Sequence, residues 1–464
     1  MTTPTSTAPD FPALDPAALE DLAARLSDGA LTTDPDVIDA HSSDEALFCP
    51  REGAIALVRA ASAEDVQEVM RFASAHRVPV VPQGARSGIS GGANASPGAI
   101  LLNVSKMKDV VAVNEAERLV TVQPGIINQD LKDHLAPFGL SYPPDPGSVA
   151  LSSIGGNIAT NAGGLRCVSH GVTRDSVASL EVVLADGSIL HTGARTIKNV
   201  VGLDLTSLFV GSEGTLGVVT SATVRLKPIA PGTPRVFRAS FDSIEDAGRA
   251  VTAIVNGAHT PEVLELLDAR SVQIIEEYKP SGLPAHGDAL LIGQFTGLHA
   301  EVSATETTQL CREYGATEAI VAEDDSLLEA RRLANPALNA KGLRVSCDIA
   351  VPIGELAAIF HGIDEISARR GLAVSVVAHA GDGNLHPTVE AADTPEGYAA
   401  AEVVIGDITR LALELGGTIS GEHGIGLVKQ AELPWQIDSA TRHAQKLIKN
   451  ALDPKNILTP GRGI

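Results

Sequence analysis

Apolar and polar positions follow two different textures along this chain. In the first, short apolar runs such as AIALVRA (54–60) and VPVVPQG (78–84) flank SAEDVQEVMRFASAHR (62–77), where Val66, Val69, Met70 and Ala73 recur at the spacing of one helical face. Ser62 stands where an N-cap belongs and Asp65 completes a capping box. The spacing therefore predicts strand, helix and strand, a βαβ unit whose second strand runs into glycine. DVVAVNEAERLVTVQPG reads as two short strands about a polar turn, and SLEVVLADGSILHTG as a hairpin tipped by Asp186-Gly187. Helices are expected to be scarce between residues 100 and 228.

From about residue 235 the texture changes. Strand-like RVFRASF and ALLIGQF alternate with helical SIEDAGRAVTAIVNGA and SLLEARRLANPAL, and LAVSVVA (372–378) reads as a buried strand. SATVRLKPIAPGTP separates the two textures with its prolines and glycine. The expected class is α+β, divided into an N-terminal extension with a first helix (1–44), a β-rich domain (45–230), a sheet covered by helices (231–450) and a tail able to fold back (451–464). A length of 464 residues, more than one core usually serves, agrees with two domains. The opening dozen residues read as disordered and lack the basic-then-apolar pattern of a secretion signal.

Charge and cysteine usage narrow the partners. Lys and Arg number 35 against 57 Asp and Glu, a net charge of −22 that repels nucleic acid and anionic lipid. Cys49, Cys167, Cys311 and Cys347 lie far apart with no CxxC pair, which argues against a disulfide framework or a thiolate zinc site and suits a reducing cytoplasm.

Three glycine-rich loops carry the candidate binding chemistry. VPQGARSGISGGA (81–93) follows a strand, and its glycines allow successive backbone N–H groups to turn inward as a pyrophosphate receptor. It lacks the lysine of a Walker loop, and no G-x-G-x-x-G stands between strand and helix, so neither a P-loop nor an NAD site is supported. Taken alone, an ordinary surface turn competes equally with this reading. DPGSVALSSIGGNIATNAGG (145–164) packs small residues with almost no charge, and LFVGSEGTLGVVTSATVRL adds Gly211, Gly214 and Gly217. Small side chains let the main chain approach a large flat ligand.

These motifs, with HAGDGNLHP (379–387), GEHGIG (421–426) and DPKNILTPG, resemble in order those of the FAD-linked oxidases of the vanillyl-alcohol oxidase type. Within that type the chain is similar to the D-2-hydroxy acid dehydrogenases: D-lactate dehydrogenase (cytochrome), D-2-hydroxyglutarate dehydrogenase and the FAD subunit of glycolate oxidase. The resemblance runs from residue 45 to the end and implies a two-part FAD-binding domain, an α+β substrate (cap) domain and a tail returning to the flavin. It implies that Pro82, Gly84, Ala85, Arg86, Ser87, Gly88, Ser90 and Gly91 hold the FAD pyrophosphate. Pro146, Gly147, Ser148, Ser153, Gly156, Asn157, Thr160, Asn161 and Gly163 would line the flavin, Gly217 and Val218 would also touch the cofactor, and Asn456 would approach the isoalloxazine ring.

The polar cluster at 379–387 gains a role from the same resemblance. His379 and His386 are too far apart for one helical turn, but the intervening glycines allow a tight loop that brings both imidazoles to one point, and SGEHGIG supplies Glu422. Two imidazoles and a carboxylate leave open positions on Zn²⁺ or a similar divalent ion, and both motifs match the family's metal positions. The bland alternative is a set of hydrogen-bonded loop histidines. A metal at a substrate hydroxyl lowers its pKa, and His423 is the candidate general base while hydride passes to flavin N5. Arg331, with Arg332 beside it at the start of a helix, matches the family's substrate arginine, with Asn335 assisting. Asn384 is a candidate for substrate contact, and both it and Asp382 for shaping the loop.

The expected reaction is oxidation of a D-2-hydroxy acid, lactate-like, to the 2-oxo acid. Relatives acting on 2-hydroxyglutarate carry a lysine where this chain has Ser346, with Arg344 nearby, which favours a small substrate. The electron acceptor stays open among quinone, cytochrome, electron-transfer flavoprotein and oxygen, as do a partner subunit and a homodimer. The first loop contains neither histidine nor cysteine for a covalent flavin link. Acid precipitation of the purified protein should therefore release all yellow flavin into the supernatant, and colour retained in the washed pellet would contradict noncovalent FAD.

Overall fold

The computed structural model describes residue 11 and residues 14–283, 287–322, 324, 326–342 and 344–463. Of the opening dozen residues expected to be disordered, all but Phe11 lie outside the described residues. The chain divides into two compact units: Met1–Ala162, Val172–Ile229 and His423–Ile464 form the first, Gly163–Gly171 and Ala230–Glu422 the second.

Among the described residues the first unit contains two main sheets and a two-stranded pairing of Leu140–Ser141 with Lys227–Pro228. β1 (Ala56–Arg59), α1 (Ala63–His76), β2 (Val80–Gln83) and β3 (Ile100–Asn103) form the expected βαβ start, with β3 inserted in parallel between β1 and β2 and Leu31–Thr32 on the outer edge of β1. Ser62 Oγ accepts the Asp65 N–H at 3.2 Å, and the Asp65 carboxylate reaches back to Ala61 N at 2.9 Å, one residue earlier than a capping box would place it. Val66, Val69, Met70 and Ala73 are buried as their spacing requires. The second sheet is antiparallel and contains β4 (Val110–Asn114), β5 (Leu119–Val122), β6 (Val177–Val183), β7 (Ile189–Gly193) and β8 (Val218–Arg225) in the order β4-β5-β8-β6-β7. Both expected hairpins, β4–β5 and β6–β7, are present.

Two expectations need correction here. The stretch from 100 to 228 is not poor in helices: it holds Asn128–Leu135, Ile154–Thr160, Cys167–His170, Thr173–Ser176 and Leu205–Phe209, each too short to show helical periodicity in an 11-residue window. The return of the chain to the first unit begins at His423 rather than at 451. Leu427 and Val428 donate to Ser90 O at 2.8 and 3.2 Å, and the tail then docks beside β2, where Val80 N reaches Ile457 O at 2.7 Å and Thr459 N reaches Val80 O at 2.9 Å. Lys449, on the helix Ser439–Leu452, ties this return down by donating to Thr215 O, Asp453 Oδ2 and Leu458 O at 2.6–2.9 Å.

The second unit is one antiparallel sheet with helices on its faces. Its elements are β9 (Arg235–Phe241), α2 (Ile244–Val255), β10 (Val263–Asp268), α3 (Ala269–Tyr278), β11 (Ala289–Phe295), α4 (Ala300–Glu313), β12 (Glu318–Val321), α5 (Ser326–Arg332), α6 (Ala334–Ala340), β13 (Arg344–Ser346), β14 (Ile349–Ala350), α7 (Leu356–Arg370), β15 (Val374–His379), β16 (Asn384–Glu390) and α8 (Pro395–Glu414). The strand order is β12-β9-β11-β10-β15-β16-β13, with β14 also paired to β16. Period-two alternation sorts side chains to opposite faces. Leu264, Leu266, Val376, Ala378, Leu385 and Val389 pack in the core with α2, α4, α7 and α8, while Val263, Leu267 and Val377 pack with α3, α5 and α6. Glu265, His379, Asn384 and His386 fall on the second of these faces by the same register. No helix among the described residues is long and apolar enough to cross a membrane.

The expected helix over SLLEARRLANPAL is interrupted at Leu333. Arg331 and Arg332 consequently sit in the last turn of α5, not at a helix start, and Asn335 belongs to the next helix.

Asp268 links this sheet to α3. Its carboxylate caps the helix by accepting Ser271 N at 2.7 Å and also accepts Val376 N of β15 at 2.8 Å. Burial pushes its pKa up to about 6, against the pull of those hydrogen bonds, and the charge of Asp364 adds to the rise. The unfolded chain releases this proton near pH 4. Between there and about 6 the folded state binds more protons, so stability falls as pH rises through that window, by at most about 1.4 kcal/mol per pH unit. Asp268→Asn keeps an acceptor for the cap, and thermal melts at pH 4.5 and 6.5 should show this pH-dependent loss in the wild type and its removal in the variant.

Candidate active site

In the second unit the sheet register assembles a polar cluster from residues far apart in sequence. Glu265 of β10 and His379 of β15 are direct cross-strand partners, and the hairpin from β15 into β16 sets His379 opposite Asn384 and Val377 opposite His386. Gly383 makes that hairpin possible: its φ is +78°, and a Cβ there would run into Val351 O. Asp382 and Gly383 donate to His379 O at 3.2 and 3.1 Å, and Asp382 Oδ1 accepts Asn384 N at 3.1 Å, the loop-shaping role expected of Asp382.

The two imidazole rings meet edge to face with centroids 5.1 Å apart. Glu422 Oε1 lies 3.2 Å from His386 Nε2 and 3.7 Å from His379 Nε2. One ligand atom from each of these three residues falls within 4.8 Å of the others, an arrangement able to hold a metal ion. Asp348, fully buried, holds the Glu422 segment by accepting Glu422 N at 3.0 Å and Ser420 Oγ at 2.7 Å. Gly163 leaves room for the same carboxylate, since a Cβ there would lie 2.7 Å from Glu422 Oε2.

Behind His379 stands a buried ion pair. Glu265 Oε1 pairs with His379 Nδ1 at 2.6 Å, and Glu265 Oε2 takes both Arg331 Nε and Nη2 at 2.8 Å. Burial alone would push the Glu265 carboxyl up, but the charges of His379 and Arg331 outweigh it and hold it below the usual range. Burial would lower His379, and Glu265 and Glu422 together raise it well above an ordinary imidazole. Glu422 is likewise held well below its usual range, burial being overcome by hydrogen bonds and charge from His379 and His386. Asn384 is 6 % exposed and its Oδ1, beside Gly421, has no hydrogen-bond partner among the described residues. An orphaned buried acceptor next to the imidazole pair suits a bound ligand.

In the first unit, the loop after β2 presents a different kind of receptor. The backbone N–H groups of Gly84 through Ser90 find no acceptor among the described residues, which is the donor array an anionic pyrophosphate requires. A Cβ at Gly84 would strike Ser153 Oγ, the cap of the helix Ile154–Thr160. Arg462 supports the loop from the tail, donating to Gly92 O at 2.9 Å and Asn94 O at 2.5 Å. Burial lowers its pKa to about 10 against the charges of Asp44, Cys49 and Glu213. Glu213 Oε1 and Oε2 accept Ile425 and Gly426 N–H at 2.9 and 2.7 Å, fastening the segment that crosses Ser90.

The description "FAD linked oxidases, C-terminal domain" matches residues 231–462, and "FAD binding domain" matches residues 54–193. The chain belongs to the FAD-linked oxidases. It is 38 % identical over 432 residues to the glycolate oxidase subunit GlcD of Bacillus subtilis (strain 168), spanning 91 % of this chain and 89 % of that protein. The D-lactate dehydrogenase of Archaeoglobus fulgidus is 36 % identical over 91 % of this chain and 95 % of its own, and the D-2-hydroxyglutarate dehydrogenase of Stutzerimonas stutzeri 30 % identical over 97 % and 99 %. A p-cresol methylhydroxylase structure shares the two-domain fold, with a TM-score of 0.79 at 17 % identity over 98 % of both chains.

This FAD-linked oxidase distributes the expected cofactor residues unevenly. Pro82, Gly84, Ala85, Ser87, Gly88, Ser90 and Gly91 stand at or beside the donor array, but the Arg86 guanidinium is turned to Ala40 O and Ser43 O at 2.8 and 3.2 Å. Pro146, Gly147 and Ser148 form a turn, with Val149 N on Pro146 O at 2.9 Å. Gly156 N is capped by Ser153, Thr160 Oγ1 bonds to Gly156 O, Asn157 Oδ1 accepts Asn128 Nδ2 and Asn161 Oδ1 accepts Arg174 N, so these polar groups shape the segment. Gly217 is needed for packing, since a Cβ would meet Val182 and Phe209, and Val218 is buried in β8. The tail register places Asn456 at the N-terminal end of β2, the end opposite the glycine loop. Arg331 is buried, whereas Arg332 and Asn335 are exposed.

Sequence reasoning overlooked Glu265, Asp348, Glu213 and Arg462. Glu265 alone left a signal, a carboxylate set between leucines in the apolar strand VLELLD. Gly84→Ala in this oxidase should displace the Ser153 cap, costing about 1 kcal/mol, and lower the ratio of flavin to protein absorbance. Adding Ser153→Ala removes the obstructing oxygen, so the double variant should regain flavin relative to Gly84→Ala.

Proposed function

We propose that this FAD-linked oxidase oxidises a small D-2-hydroxy acid, D-lactate or one like it, to the 2-oxo acid. The observation that carries this reading is the convergence of His379, His386 and Glu422 on one point, backed by the Glu265–Arg331 pair. The relatives named D-lactate dehydrogenase and glycolate oxidase subunit support the substrate class.

When bound, FAD supplies a two-electron acceptor for the substrate α-carbon, and a divalent cation, with zinc suited to this donor set, supplies Lewis acidity that lowers the pKa of the substrate hydroxyl. The residues fit both groups: the unpaired N–H array of Gly84–Ser90 for the FAD pyrophosphate, without a covalent link, and the Nε2 atoms of His379 and His386 with Glu422 Oε1 for the cation. Glu265 occupies Nε and Nη2 of Arg331 through one oxygen, which leaves Nη1 for the substrate carboxylate. The orphaned Asn384 Oδ1 is a further polar contact for the bound acid. His423, next to Glu422 in the chain, acts as general base for the hydroxyl proton.

Ser346 argues for a small substrate over a second-carboxylate one. Its Oγ lies 3.1 Å from Thr388 Oγ1, a hydroxyl pair rather than an ammonium group. The Arg344 side chain lies outside what the structure describes. A second reading, the FAD subunit of a glycolate oxidase-type complex, is favoured by the identity to GlcD of Bacillus subtilis and Escherichia coli, 38 % and 36 %. Electrons then leave to a separate acceptor: quinone, cytochrome, electron-transfer flavoprotein or oxygen. Cys49, Cys167, Cys311 and Cys347 form no disulfide with one another, which is consistent with work in a reducing cytoplasm.

Anaerobic flavin bleaching against paired D- and L-2-hydroxy acids tests the proposal. D-lactate should bleach the flavin, L-lactate should not, and prior chelation should slow the reaction. His423→Ala should lower the rate by roughly 10²–10⁴-fold with flavin content unchanged. Equal bleaching by both isomers, or full speed after chelation, would overturn the reading.

A further inference from the structure

Glu265 is fully buried in the middle of a sheet, yet each of its oxygens has a separate task. Oε1 meets His379 Nδ1 at 2.6 Å and Oε2 meets Arg331 Nε and Nη2 at 2.8 Å. A histidine that presents Nε2 to a cation needs its Nδ1 to carry the proton, and an acceptor at Nδ1 selects that tautomer and fixes the ring plane. A guanidinium whose Nε edge is already taken has one rotational setting left. We propose that Glu265 is the positioning residue that couples metal retention to substrate binding, holding His379 and Arg331 as one unit through its two oxygens.

This inference rests on the metal-and-arginine reading above and adds to it a residue outside both the ligand set and the substrate contacts. The backbone supplies the rigidity. Glu265 and His379 are register partners on adjacent strands, and Asp268, three residues along β10, bonds to Val376 N, three residues before His379. Arg331 reaches the same carboxylate from the last turn of α5. A contrasting group stands close by in sequence: Glu262 also pairs with one arginine and one histidine, Arg166 Nη1 at 2.5 Å and His170 Nε2 at 3.1 Å, but neither belongs to the proposed ligand set.

The test compares wild type, Glu265→Gln and Glu262→Gln as holoenzymes. Wild type loaded with Zn²⁺ should hold one ion per chain against graded dipicolinate. Glu265→Gln should bind Zn²⁺ about 10- to 100-fold more weakly and also show KM for D-lactate raised by roughly tenfold or more, with flavin absorbance preserved. Glu262→Gln should match wild type in Zn²⁺ retention. If wild type holds no Zn²⁺, the functional reading itself fails and takes this inference with it. If wild type holds the ion and Glu265→Gln holds it equally well with an unchanged KM, the inference alone fails. Weakening of Zn²⁺ retention in both variants to the same degree would also overturn it, by showing a general loosening of the unit. A measurement on the unmutated protein covers the case in which Glu265→Gln does not fold: Zn²⁺-loaded wild type labelled with ¹⁵N-histidine should show a solvent-protected Nδ1–H that His379→Gln removes. A His379 protonated at Nε2 instead would overturn the inference.

Discussion

A carboxylate with no solvent contact, facing an imidazole across two strands, is the constraint on which the second unit depends. Burying a lone carboxylate is costly, and breaking such a pair from one side typically destabilises by roughly 3–5 kcal/mol. Glu265 is tolerated because His379 and Arg331 use both its oxygens. Sheet register makes that pairing possible, since a slip of one residue would turn Glu265 into the apolar core among Leu264 and Leu266. Asp268 holds the register from the same two strands by capping α3 while accepting from Val376. Packing, helix capping and site geometry are therefore one problem with one solution in this sheet.

The first unit uses main-chain chemistry instead. Its candidate receptor is a run of backbone N–H groups that meet no protein acceptor among the described residues, donors that an anion can answer. Side chains act around this loop rather than in it. Buried Arg462 and half-buried Glu213 fasten the tail and the 424–426 segment, and Lys449 closes the same return with three acceptors. Glycine serves close packing at two points: a Cβ at Gly84 would meet the Ser153 cap, and at Gly217 Val182 and Phe209 occupy the space a side chain would need.

Family membership and residue geometry bear on different levels of function. The matches over 54–193 and 231–462 establish an FAD-linked oxidase of the group that includes D-lactate, glycolate and D-2-hydroxyglutarate enzymes. Here Ser346 places a hydroxyl against Thr388, and Arg331 arrives with one edge already engaged.

Local sequence determined what depends on neighbours along the chain. The α1 face with its Ser62 cap, the hairpins at Asp186-Gly187 and Gly381–Gly383, and the apolar strand before HAGDGNLHP were all legible because spacing and turn chemistry suffice for them. Ordered motifs also disclosed the oxidase fold and the imidazole pair. Short helices between 100 and 228, the break at Leu333 and the start of the return segment at His423 were not legible, since each is settled by packing against residues far away in sequence. The same holds for Glu265, Asp348, Glu213 and Arg462: one charged residue in a strand or tail carries no mark of its partner, and 114 positions separate Glu265 from the histidine it holds. Only strand register brings them to 2.6 Å, because hydrogen bonds between strands, unlike turns and caps, join residues without regard to their separation along the chain.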